Sequence, residues 1–117
     1  EGRASMTNEN RKRVRGWNLQ FLADQPVGAD GLRAQLTPER LQQDLFAAAQ
    51  EVSLDEVRAE CGYLAGKCLV QMERFSGRAG QLLGGTKTGV RITSAGIDVR
   101  DGTTREPGVD LGVFATV

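Results

Sequence analysis

The sequence predicts a mainly helical domain carrying one β-hairpin, and three observations lead there. Apolar residues recur at helical spacing through three successive segments between residues 11 and 68. Alternation with period two replaces that pattern over residues 69–75 and returns at 89–92. Between the two alternating runs lies a stretch with Gly77, Gly80, Gly84 and Gly85, the composition of a hairpin tip. The 117 residues suit one domain, and 39% hydrophobic with 26% charged residues can support a small core. We expect residues 11–100 to form that domain, with a flexible leader over 1–10 and an extended tail over 101–117. Within the leader, Glu1 to Ser5 ahead of Met6 resemble an expression remnant and are set aside.

Helix one is predicted from Arg11, with Val14, Trp17, Phe21 and Leu22 on one stripe until Asp24-Gln25-Pro26 breaks it. Residues 27–36 contain Gly28 and Gly31 and read as a loop with a short extended stretch. Thr37-Pro38-Glu39 starts helix two with a capping hydroxyl, a first-turn proline and an acid. Its apolar face is Leu41, Leu45, Phe46 and Ala49, and it should end near Gln50. Ser53-Leu54-Asp55-Glu56 is a capping box that opens helix three. Leu54, Val57, Cys61, Leu64, Ala65 and Cys68 then follow one stripe and should face inward. The short link around Glu51-Val52 joins helices two and three as a helix-turn-helix. Thr93 should cap a last short helix through Val99, ended by Asp101-Gly102. The tail, with Pro107, Gly108 and Gly112, should run extended over the surface. Leu54, Val57, Leu64, Trp17, Phe21, Leu45 and Ile92 are expected to share one core.

Three helices, a hairpin wing and a short final helix make the winged helix-turn-helix order. The segment Ile92-Thr93-Ser94-Ala95-Gly96-Ile97-Asp98-Val99 resembles the step that follows the wing in many such proteins. More narrowly, the chain resembles a family of small winged-helix proteins encoded by Mu-like bacteriophages, over roughly residues 11–110. The resemblance rests on Ser53 with Val57-Arg58-Ala59, on Leu64 and Leu69-Val70, on Ile92-Thr93 with Gly96 and Asp98-Val99, and on Gly102 with Pro107-Gly108-Val109. The stretch Gly102-Thr103 to Glu106-Pro107-Gly108-Val109 is its most particular part. A longer loop before helix two and a bulkier wing tip depart from the family pattern. The resemblance implies a phage-encoded, DNA-associated or packaging-region protein in the host cytoplasm.

Several function classes are excluded by composition. Histidine is absent, which removes His-based metal sites and every Ser-His-Asp or Cys-His scheme. Cys61 and Cys68 would lie about 10 Å apart on a helix, too far for a disulfide, and read as small buried hydrophobes of a reducing compartment. Gly84-Gly85-Thr86-Lys87-Thr88 echoes a phosphate loop but lacks the spacing and the strand-then-helix context. No apolar run approaches the roughly 18–20 residues that span a bilayer. The sequence therefore predicts no enzyme, metal, cofactor or membrane.

Net charge is zero, yet cations cluster. Arg11, Lys12, Arg13 and Arg15 form a basic arm, and Arg74, Arg78, Lys87 and Arg91 line the proposed wing with no acid between Arg74 and Arg91. Such cations bind duplex phosphates without reading sequence. Projected at about 100° per residue, helix three turns outward Asp55, Glu56, Ala59, Gly62, Tyr63, Gly66 and Lys67, with Arg58 at the edge of the buried stripe. This face can supply only limited base contact, from Arg58, Tyr63 and Lys67. The expected function is non-enzymatic docking on double-stranded DNA through wing and arm, with a homodimer doubling the contacts. The alternative is a protein-interaction module of phage morphogenesis or DNA packaging. It would use Ala59, Gly62 and Gly66, whose lack of bulk lets another helix approach, with Tyr63 as an adjacent anchor; the same glycines could instead accommodate the domain's own wing or tail.

Overall fold

A computed structural model of the chain describes residues 7–75 and 87–110. The elements are α1 (Asn8–Ala23), α2 (Pro38–Ala47), α3 (Leu54–Gly66), β1 (Val70–Phe75), β2 (Lys87–Ile92) and α4 (Ser94–Arg100). Each helix starts where a hydroxyl can satisfy an orphan amide. Thr37 Oγ1 accepts from Arg40 N at 3.2 Å, and Thr93 Oγ1 from Gly96 N at 3.1 Å. The capping box of α3 is complete: Ser53 Oγ accepts from Glu56 N at 3.1 Å, and Glu56 Oε1 accepts from Ser53 N at 2.8 Å. Helix α1 begins three residues ahead of Arg11, at Asn8, because Thr7 caps it by accepting from Asn10 N at 3.1 Å.

The two strands pair antiparallel from Val70↔Ile92 to Phe75↔Lys87 and form the wing. The extended stretch expected before α2 is Leu36, which bridges to Val90 with reciprocal bonds of 2.9 and 2.7 Å. The hairpin tip lies outside the described residues. Three helices, a wing and a fourth short helix are thus the winged helix-turn-helix fold.

The core gathers Val14, Leu19 and Leu22 of α1, Leu41 and Leu45 of α2, and Val57, Cys61 and Leu64 of α3 beneath Val70, Val90 and Ile92 of the wing. Trp17 and Phe21 stack with ring centroids 5.3 Å apart and pack against it while remaining partly exposed. Leu54 is half-buried and lies outside this cluster. Gly96 is the glycine that packing requires: a Cβ there would run into the Leu69 carbonyl, so α4 can lie against the start of β1 only without a side chain.

Helix ends account for two departures from the sequence reading, and the helical phase of α2 for a third. Helix α2 stops at Ala47, and Ala49 takes a left-handed conformation with φ 63° while Gln50 N bonds Leu45 O at 2.8 Å. Phe46, expected inside, is 67% exposed, because it sits about 100° round the helix from the buried Leu45. Cys68, also expected inside, is exposed, because α3 ends at Gly66 and Cys68 reverses the chain with φ 62°. Cys68 N bonds Ala65 O at 3.0 Å and Leu69 N bonds Leu64 O at 2.9 Å, the paired bonds of a Schellman end. Both left-handed positions lack the usual glycine, so nothing local in the sequence marks them.

The segment after α4 lies largely at the surface but is turned and tied down rather than fully extended. Gly102 turns with φ 84°, Thr103 and Thr104 N–H both bond Asp98 O, and Asp110 N bonds Lys12 O at 3.0 Å. Val109 packs against the core. Residues 111–117, the apolar end of the tail, lie outside the described residues. Among the described residues no helix is long and apolar enough to cross a membrane.

Candidate nucleic-acid interface

Two sides of α3 flank the expected interface, and they differ. The outward arc carries Asp55, Arg58, Ala59, Gly62 and Gly66, all exposed. A Cβ built on Gly62 or Gly66 would meet nothing within 4 Å. Nothing among the described residues therefore packs on these glycines, while the wing tip and the end of the tail, which could do so, lie outside them. At the arc's edge, Arg58 stays half-exposed, its side chain 52% accessible, with Nη2 3.4 Å from Glu39 Oε2 and Nη1 3.8 Å from Asp55 Oδ1.

The opposite flank is closed. Arg15 of α1 donates from Nε to Glu60 Oε1 at 2.6 Å and from Nη1 to Gly108 O at 2.9 Å, and its guanidinium lies 3.5 Å from the centroid of the Tyr63 ring. Tyr63 Oη donates to Glu106 Oε2 at 3.4 Å, and the same carboxylate oxygen accepts from Gly108 N at 3.2 Å. Gly108 abuts the Tyr63 ring so closely that a Cβ there would overlap its hydroxyl. Glu106-Pro107-Gly108 is thus a clasp that joins α1 to α3. Sequence reasoning assigned Arg15 to phosphates and Tyr63 to DNA or a partner. The fold instead gives Arg15 an internal carboxylate and covers Tyr63 from two sides, because burying the acid demands a cation beside it.

Glu60 is the residue that sequence reasoning missed. It is buried at 4% relative exposure. A signal existed: Glu60 stands three residues after Val57 and four before Leu64, hence on their face of the helix. Burial, with Glu60 adding a negative charge nearby, pushes the Cys61 thiol up from 9.0 to about 12. Asn18, fully buried on α1, donates to that sulfur at 3.8 Å.

The remaining predicted cations are spread around α3. Arg11 is exposed, with Nε 4.0 Å from Glu60 Oε2; Lys12 and Arg13 are half-buried on the same helix. Lys67 is exposed just past α3, its ammonium 5.7 Å from the Tyr63 ring centroid. On the wing, Arg74 is exposed, while Arg91 is half-buried and donates to Arg33 O at 2.9 Å. Lys87 opens β2 opposite Phe75. Arg78 lies outside the described residues. Among the described residues no group of three metal-ligating side chains forms.

This arrangement defines a winged helix-turn-helix domain in which one face of α3 is uncovered by the described residues. Among solved structures, the chain is similar to a candidate transcriptional regulator from Thermoplasma acidophilum, with a TM-score of 0.65 and 13% identity over 86% of this chain and 84% of that one. At that identity the likeness is one of fold. No protein-family model matches the chain, and no curated protein matches it in sequence.

Proposed function

We propose that the protein is a non-enzymatic DNA-binding protein that docks on the phosphate backbone through its wing and its N-terminal arm, with α3 directed at the major groove. The observation that carries this reading is the uncovered arc of α3 beside a wing that presents Arg74. Phosphate contacts are assigned to Arg74, Arg78, Lys87 and Arg91 on the wing and to Arg11, Lys12 and Arg13 on α1, with Lys67 at the end of α3. Arg15 and Tyr63 are left out because the clasp occupies them. A homodimer would present two wings to one duplex and double these contacts.

Affinity measured against salt on a random duplex tests the reading. Neutralising about eight phosphates, one for each cation named, gives a log–log slope of about −7, and each of Arg74→Ala, Arg78→Ala and Lys87→Ala should flatten it by about one. No binding at 20 mM salt would sink it. The second reading, an interaction module of phage morphogenesis or packaging, is favoured by the acid on the arc: the Asp55 side chain is 95% exposed beside Ala59, Gly62 and Gly66. Origin from a Mu-like phage rests on the resemblance at Gly102 and residues 106–109. Terminase or head genes beside the coding sequence would support that origin together with the packaging role.

A further inference from the structure

We infer that Arg58 is the base-reading side chain of α3 and makes the protein prefer guanine-bearing sites, an inference that rests on the DNA-docking reading above. A base reader needs hydrogen-bonding groups that reach the groove floor. On the outward arc of α3, Ala59, Gly62 and Gly66 have none, and Asp55 can only accept. Lys67 lies past the helix and leans toward the Tyr63 ring. Arg58 remains. It is the fifth residue of α3, in the N-terminal half from which recognition helices of this class touch base edges.

The glycines contribute by what they lack. With nothing among the described residues built above Gly62 and Gly66, the helix can settle deep in the groove and bring the Arg58 fork within reach of a base pair. The fork is also positioned. Glu39 of α2 and Asp55 one turn back hold its two terminal nitrogens at 3.4 and 3.8 Å, while the side chain stays 52% accessible. Arg15, by comparison, sits 2.6 Å from its carboxylate with a side chain only 13% accessible. Arg58 is loosely guided and Arg15 is fully engaged. Guanine offers two acceptors, O6 and N7, to a planar fork, whereas adenine pairs one acceptor with a donor that opposes it. Asp55 and Glu39 act as positioning residues.

The test is anisotropy at fixed low salt on three duplexes of equal length: one rich in guanine, one of A·T pairs only, and the first with every guanine replaced by 7-deazaguanine. The wild type should favour the guanine duplex between about 5- and 100-fold, and the deaza analogue should remove most of that. Arg58→Ala should bring all three duplexes within about twofold of one another. Asp55→Asn should lower the discrimination while leaving both the salt slope and the melting temperature unchanged, which a merely structural role would not do. Equal wild-type binding to the guanine and A·T duplexes, or a preference that survives Arg58→Ala in a protein that melts normally, would overturn the inference and leave backbone docking standing. Absence of binding to all three would defeat the docking reading itself.

Discussion

The two sides of α3 begin as similar stretches of one helix and end in opposite states. On the clasped flank, Glu60 and Tyr63 receive partners from α1 and from residues 106–108, more than forty positions away in sequence. On the open arc, Ala59 is exposed and Gly62 and Gly66 have no neighbour within reach among the described residues. Two arginines mark the contrast. Arg15 neutralises a buried acid and fastens the clasp, whereas Arg58 remains accessible. A basic residue count therefore overstates the charge available to a polyanion, because the fold engages some cations internally before any ligand arrives.

The sharpest way to break this contrast is to remove the acid that closes one flank. Glu60→Ala leaves Arg15 nearly buried without its carboxylate and should cost about 3–5 kcal/mol, read as a fall in the urea midpoint. Arg15→Ala should cost a similar amount, and the double variant less than the sum of both, since the two residues act as a pair. A loss within a few tenths of a kcal/mol would mean that the clasp does not contribute to stability.

The open arc should respond with the reverse sign. Gly62→Ala and Gly66→Ala place a methyl group in open space. Each should raise stability by about 0.8–1.0 kcal/mol through helix propensity alone. Loss of stability, or a change in oligomeric size, would show that something seats on this arc in solution.

The smallest effect at neutral pH concerns the cysteines. In the folded protein, iodoacetamide at pH 8 should modify the exposed Cys68 and spare the buried Cys61. The Cys61 thiol is raised from 9.0 to about 12 in the fold, so the folded state holds its proton more tightly than the unfolded chain. Its contribution to stability is complete below pH 9 and declines as pH rises toward 12. A melting temperature that stays flat across that window would contradict the assignment.

Local chemistry made much of the architecture legible. Thr37-Pro38, the Ser53 to Glu56 box and Thr93 each announce a helix start, because satisfying orphan amides needs only neighbours a few residues away. The alternation of β1 and β2 similarly announced the wing. Helix stops were harder to read: Ala49 and Cys68 adopt left-handed turns without glycine, held by Schellman bonds that compensate the strain. This displaced Cys68 from its expected core position. Of the candidate interface, the openness of Gly62 and Gly66 and the engagement of Arg15 were both invisible to a helical projection. A projection says which way a side chain points and nothing about what arrives from elsewhere in the chain.

By itself, then, the sequence determined the order of elements, the starts of α2, α3 and α4, most of the core stripe of α3 and the absence of histidine chemistry. Those properties depend on neighbours within a turn or a strand pair. Only the tertiary structure decided which cations remain accessible, where the segment after Gly102 docks and which face of α3 the described residues leave bare. Each of these depends on contacts between residues distant in sequence, and burying Glu60 required a partner that only folding could bring beside it.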